Sequence, residues 1–292
     1  MASLSTEELG DIPDFMTDPD AVLHDSEAEW RYSRPPDYTR TRKYFAETRR
    51  YNHKAGSLEA LIENLVKNWE IEASFKTRLA DWRTVDVSQY TFAINGLDPC
   101  SAEYMLRVGT YNAIITPCEY YDPTHSDFAS SHKTFKRMMP TFAWEVVEVY
   151  SGPPVVSFKW RHWGEMKNDY VGWNVAGEKV TVKPSDRPID IEGVTVVHLN
   201  DKSQIIKLKT WFDSNEIFKQ MDPERRALRE PAVREGQVYD YSAASGPAAI
   251  NGGIIDAGLP QAAGCPMMTT SGRRAPGGDD NDDKGIPELN AE

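Results

Sequence analysis

Residues 142–166 read FAWEVVEVYSGPPVVSFKWRHWGEM, two runs rich in Val, Trp, Tyr and Phe on either side of Ser151-Gly152-Pro153-Pro154. β-Branched and aromatic residues favour pleated backbone while Gly and Pro supply turn dihedrals, so the stretch predicts a β-hairpin. Strand side chains alternate between faces. Val156, Phe158, Trp160 and His162 therefore share one face of the second arm, and Ser157, Lys159, Arg161 and Trp163 share the other. One imidazole ends a wholly apolar row, which makes His162 the first candidate for chemistry.

Upstream of the hairpin the periodicity is helical. Residues 41–51 form a charged helix candidate, and Ser57 is the expected N-cap of a long amphipathic helix with a stripe of Leu58, Leu61, Ile62, Leu65, Val66 and Trp69. At 100° per residue Glu72 falls about 60° from that stripe and Glu70 about 100° away. Glu72 is thus the carboxylate expected to face inward, or else to pair with Lys76 at i,i+4. A short strand at 90–94, the turn Asn95-Gly96, a helix over 101–115 and another over 128–139 follow. Gly109 weakens the first of these two helices and is expected to serve close packing. Downstream, 179–182 and 189–199 read as strands, Asn200-Asp201-Lys202-Ser203 as a tight turn into 205–212, and 216–221 as a closing helix.

Composition bounds the function. The 292 residues are 40% apolar with eight Trp, ample for a core, and the formal net charge is -12 without a long Lys/Arg tract. Nucleic acid and anionic membrane are poor partners for such a chain. Three widely spaced cysteines, Cys100, Cys118 and Cys265, support neither a disulfide framework nor a zinc site, so no metal is expected. No apolar run approaches the roughly 18 residues of a membrane span and the acidic start is unlike a secretory signal, so a cytoplasmic protein is expected. Three segments follow: a disordered leader over 1–28, one folded domain over 29–221, and a low-complexity, largely disordered tail over 222–292 whose acidic run at 279–283 lacks calcium-loop spacing.

Helices first and antiparallel strands last is an α+β pattern. Several words along it resemble the plant "pathogen-related protein" group and its fungal relatives, within the SnoaL-like polyketide cyclase branch of the nuclear-transport-factor-2-like superfamily. They are Glu29-Trp30-Arg31 with Pro35-Pro36-Asp37-Tyr38, Gly56-Ser57-Leu58-Glu59, Asn68-Trp69-Glu70-Ile71-Glu72, Asn95-Gly96-Leu97, Gly109-Thr110-Tyr111-Asn112-Ala113, Tyr121-Asp122-Pro123 and residues 158–164, FKWRHWG. The resemblance covers residues 29–221. It implies a cone-shaped barrel of helices packed on a strongly curved antiparallel sheet, with a pocket at the wide end. It also implies cofactor-independent cyclisation, isomerisation or dehydration of a natural product, with an Asp or His moving the proton.

Onto that frame the candidate residues fall as follows. His162 is the base, unless it is a core histidine satisfied by backbone or carboxylate, and Glu72 is its acid or orienter. Tyr111 and Asn112 are donors for a substrate carbonyl, although Tyr111 also fits an apolar helical face. Trp69, Phe158, Trp160 and Thr210 form the substrate-binding wall, for which core packing is the plain alternative. Asp213 sits near a position where related enzymes carry an acid, but alternation turns it outward. The expected ligand is a small apolar or polycyclic polyketide, terpenoid or alkaloid intermediate, with no cofactor. The alternative is a non-catalytic cone that binds a small ligand or a protein. Related cones imply a homodimer through the sheet face, using the row of Lys159, Arg161 and Trp163.

Overall fold

The computed structural model describes residues 12–185 and 187–231. In chain order they form α1 (Asp14–Thr17), α2 (Thr39–Thr48), α3 (Leu58–Phe75), β1 (Thr91–Ile94), β2 (Cys100–Ser101), α4 (Ala102–Val108), α5 (Thr110–Ile114), α6 (Phe128–Met138), β3 (Ala143–Ser151) and β4 (Val155–Gly164). They continue with β5 (Tyr170–Trp173), β6 (Lys179–Val182), β7 (Ile189–Leu199), β8 (Ile205–Trp211), α7 (Glu216–Met221) and β9 (Leu228–Glu230). The class is α+β, as the order of periodicities predicts.

The hairpin forms one edge of the main sheet, with β3 outermost. β4 pairs antiparallel with β3 (Trp144 opposite His162, Val146 opposite Trp160) and with β7 (Trp160 opposite Gly193, His162 opposite Ile191). The strand order β2-β1-β8-β7-β4-β3 gives a curved sheet whose end strands do not pair with each other, so the expected barrel does not close. Nor is the sheet wholly antiparallel, because β1 runs parallel to β8 with Ile94 opposite Thr210. Parallel neighbours require a long crossover. Here the chain between them supplies three helices and the hairpin itself. A smaller sheet, β5-β6-β9, adds two strands too short to show alternation in the sequence.

α3 lies against the main sheet. The Ser57 hydroxyl accepts the Ala60 N–H at 3.3 Å and starts the helix, and Leu61, Ile62, Leu65 and Ile71 are buried. Gly109 separates α4 from α5 at φ +88, and a Cβ there would sit 3.0 Å from the Phe128 ring. The single helix expected over 101–115 is therefore two, since no side chain is tolerated at that dihedral without strain.

Both expected segment boundaries move outward. Residues 12–28 are not a loose leader: Phe15, Met16, Ala21 and Val22 are core residues, and Asn68 of α3 holds the segment. Its Oδ1 accepts the Val22 N–H at 3.0 Å, and its Nδ2 donates to Phe15 O at 3.0 Å and Asp18 O at 2.7 Å. A few apolar side chains suffice when a buried amide satisfies the backbone that carries them. At the other end β9 pairs with β6, and Arg225 and Arg229 reach Glu119 at 2.8 and 3.0 Å, so residues 222–230 belong to the body. Residues 1–11 and 232–292, including the acidic run, lie outside the described residues.

Alternation along β4 holds, but its second face is not free. Arg161 is buried between Glu145 and Asp190, both at 2.8 Å, and Trp163 donates its indole N–H to Thr48 at the end of α2 and packs on Phe45. The chain itself wraps the β3 edge through Arg50 and Tyr51, whose backbone N–H groups reach Glu145. Arg161 and Trp163 are thus withdrawn from the row expected to form a dimer. α2 itself buries none of its ten residues.

Gly193 meets Trp160 so closely that a Cβ would lie 2.3 Å from Cζ2 of the indole. Gly193→Ala is expected to cost roughly 1–3 kcal/mol by overpacking. Urea denaturation measures it, and an unchanged midpoint refutes the close-packing account.

Candidate functional site

Between α3, α5, α6 and the sheet lies a cavity of about 200 Å³. The β4 row supplies Phe158, Trp160 and His162, and β8 supplies Leu208 and Thr210. Trp69 and Glu70 come from α3, Tyr111 from α5, Lys136 from α6, and Tyr38 from the residue before α2. The wall is chiefly aromatic, and its threonines satisfy one another. The Trp160 indole N–H donates to Thr195 Oγ1 at 2.9 Å, which donates to Thr210 Oγ1 at 2.8 Å, which in turn donates to Val194 O at 3.3 Å.

The charged centre of the cavity is Glu70 with Lys136. Lys136 Nζ lies 3.1 Å from Glu70 Oε1, which also accepts the Ser74 hydroxyl at 3.2 Å, and Tyr38 donates its phenol to Oε2. About a third of each side chain, 33% for Glu70 and 35% for Lys136, remains accessible. Burial alone would raise the Glu70 carboxyl, but the Lys136 charge and the Tyr38 and Lys136 hydrogen bonds hold it down to about 2. Burial likewise works against the Lys136 ammonium, yet Glu70 keeps it well above its ordinary value. The pair is therefore ionised throughout the neutral range.

His162 answers to the same charges. Its ring packs on Phe142 with centroids 3.5 Å apart, and no hydrogen bond from the described residues reaches either nitrogen. Burial and the Lys136 charge push it down to about 3, with Glu70 opposing. His132, one turn before Lys136 on α6, is also lowered to about 3 by burial and Lys136, and its Nε2 lies 3.3 Å from the Thr110 hydroxyl. Both imidazoles are neutral near pH 7.

Of the residues expected from sequence, His162, Tyr111, Trp69, Phe158, Trp160 and Thr210 line the cavity. Glu72 and Asn112 do not. Glu72 is fully buried on the other flank of α3, where it accepts Lys76 Nζ at 2.9 Å, the N–H groups of Arg83 and Thr84 at 2.8 and 3.0 Å, and the Thr84 hydroxyl at 2.6 Å. Two residues on a helix differ by about 200°, so Glu70 and Glu72 face opposite ways, and a helix covered on both sides makes each of them inward. The i,i+4 pairing with Lys76 is the one that forms. Asn112 is consumed by structure: Nδ2 donates to the carbonyls of Val108, Ser126 and Asp127, and Oδ1 accepts the Tyr121 phenol at 2.5 Å. Asp213 points outward and pairs with Lys219 at 2.5 Å. The residues missed were Glu70, Lys136 and Tyr38, distant in sequence; the one local hint is that Val66, Trp69 and Glu70 share a flank at i, i+3, i+4. Among the described residues no cluster of three or more His, Cys, Asp or Glu could hold a metal, and no helix is long and apolar enough to cross a membrane.

No protein-family model matches the chain. Over 192 residues it is 33% identical to a protein named pathogen-related protein from Hordeum vulgare, an overlap of 63% of this chain and 78% of that protein. The chain belongs to the pathogen-related protein family. Solved structures resemble this family member more distantly. A candidate SnoaL-like polyketide cyclase from a Jannaschia species is 13% identical over 53% of this chain and 83% of its own, with a TM-score of 0.31. A candidate polyketide cyclase from Streptomyces antibioticus is 12% identical over 54% and 95%, at 0.33. A Catenulispora acidiphila protein with a ketosteroid isomerase-like fold is 9% identical over 54% and 91%, at 0.31. Likeness at that level transfers no chemistry to the pathogen-related chain.

The buried histidines set a sign for acid stability. Unfolded His132 takes a proton near 6.5 and the folded one only near 3, so between these values the unfolded state binds more protons and stability falls as pH falls. The slope from His132 is about 1.4 kcal/mol per pH unit at most. Urea denaturation at pH 7, 6 and 5 is expected to show this decline, and His132→Gln is expected to make it shallower; a slope unaltered by the substitution would contradict the assignment.

Proposed function

We propose that the cavity binds a small, flat, mostly apolar carbonyl compound of natural-product type and moves one of its protons without a cofactor, as an isomerase, cyclase or dehydratase. The observation that carries this is His162: an unpartnered neutral imidazole in an aromatic cavity that also holds an ammonium. Neutral imidazole can take the proton from the carbon next to a carbonyl, the electron pair of that C–H bond passing to the carbonyl oxygen. Lys136, with Tyr111 beside it on the wall, would hold the resulting oxyanion, and Glu70 with Tyr38 would position Lys136. The proton then returns at another carbon, or the enolate carbon attacks a second carbonyl.

At about 3 His162 is a weak base, held down first by burial and then by the Lys136 charge. An oxyanion beside the ammonium offsets that charge, so His162 becomes more basic as the proton leaves carbon. Glu72 has no part in this scheme.

A second reading, ligand binding without turnover, is favoured by the same charges. Glu70, His162 and Lys136 each titrate far from neutrality, which suits fixed anchors. Deuterium incorporation next to the carbonyl of α-tetralone in heavy water, followed by proton NMR, separates the two. Catalysis predicts exchange above the buffer rate and a loss of roughly 10²–10⁴-fold in His162→Ala, with ketone affinity nearly unchanged. Exchange that survives in His162→Ala removes the proposed base, and binding without exchange leaves the second reading.

A further inference from the structure

Arg42, Lys67 and Lys136 line the cavity against one lining carboxylate, Glu70. Arg42 reaches Asp20 at 2.7 Å and Lys67 reaches Glu63 at 2.6 Å, yet neither acid is part of the lining. Glu63 turns its other oxygen to the Val146 N–H at 3.0 Å, and the Lys67 ammonium lies 3.6 Å from the Phe45 ring centroid. The charged ends of Arg42 and Lys67 are thus taken by groups outside the lining, which leaves Lys136 as the lining cation whose acidic partner, Glu70, also lines the cavity.

Two further features narrow the ligand. Lys136 spends one contact on Glu70, and the Tyr111 hydroxyl on the same wall has no hydrogen-bond partner among the described residues. Tyr111 stacks on Phe135 with centroids 4.4 Å apart, which fixes its ring. Burial raises its phenol despite Lys136, so it is a neutral donor. An ammonium and a phenol are thus left to donate, and both suit an oxygen that carries charge. Much of the rest of the wall, including Trp69, Trp144, Phe158 and Trp160, is flat and apolar. A cavity of about 200 Å³ is smaller than the roughly 300–1,000 Å³ of drug-sized pockets, so it suits one or two fused rings.

We propose that the ligand is a compact planar aromatic monoanion on oxygen, its charged group seated on Lys136 and Tyr111 and its rings between the aromatic walls. This deepens the function proposed above and rests on its premise that the cavity takes a small molecule; the oxygen seated on Lys136 and Tyr111 is then already anionic on binding, in place of one that becomes so as the proton leaves carbon. It departs from the expectation of a neutral polycyclic substrate in both charge and size.

Isothermal titration of the full chain with 2-naphthoate and with the neutral, similarly shaped 2-naphthamide tests it. The anion is expected to bind at least about 10-fold more tightly, and Lys136→Met to abolish the preference. Glu70→Gln keeps the shape and removes the opposing charge, so it is expected to tighten 2-naphthoate binding roughly 3- to 10-fold without improving the amide. The opposite signs separate charge recognition from simple damage, and Glu70→Gln decides if Lys136→Met fails to fold. Equal affinities, a preference for the amide, or weaker anion binding in Glu70→Gln overturn the anionic ligand and leave the small-molecule cavity standing. Absence of binding by both probes overturns the two together.

Discussion

Everything in this fold meets at α3, a helix that has no free side. Its apolar stripe is pressed on the sheet, and its polar residues are each taken by a different neighbour: Asn68 by the 15–22 segment, Lys67 by Glu63, Glu70 by Lys136 and Tyr38, Glu72 by Lys76 and Thr84. Buried charge is costly unless it is paired and hydrogen-bonded, and here each charge is. The pairing fixes the helix's rotation, and that rotation is what turns Glu70 toward the cavity and Glu72 away from it.

The same economy governs the cavity. Glu70 and Lys136 neutralise each other, so the cavity presents a dipole, while Lys67 and Arg42 are paired with Glu63 and Asp20. His162 is kept neutral by burial and by Lys136. In the proposed scheme its strength as a base depends on what lies next to the ammonium, so substrate charge and base strength are coupled through one side chain.

Much of this was legible in the sequence because it is local. Alternation placed Phe158, Trp160 and His162 on one face, and the 3.6-residue stripe and Ser57 cap gave α3. What was not legible depended on partners far along the chain. A helical wheel assumes one buried face, so it chose Glu72 over Glu70 on an element buried all round. Asn112 looked like a substrate donor until the carbonyls of Val108, Ser126 and Asp127 claimed it. The 12–28 segment looked too polar to pack because its hydrogen-bonding amide lies some fifty residues away. Nor does alternation report strand direction, so the parallel β1–β8 pair and the open edges of the sheet were invisible.

α2 buries no residue, although Thr41 and Arg42 from its first turn line the cavity and Tyr38 just before it reaches Glu70. Helices that bury little apolar surface open locally at small free-energy cost. If the cavity binds a ligand as proposed, residence is governed by how often this turn lifts, and the core need not loosen for the ligand to leave.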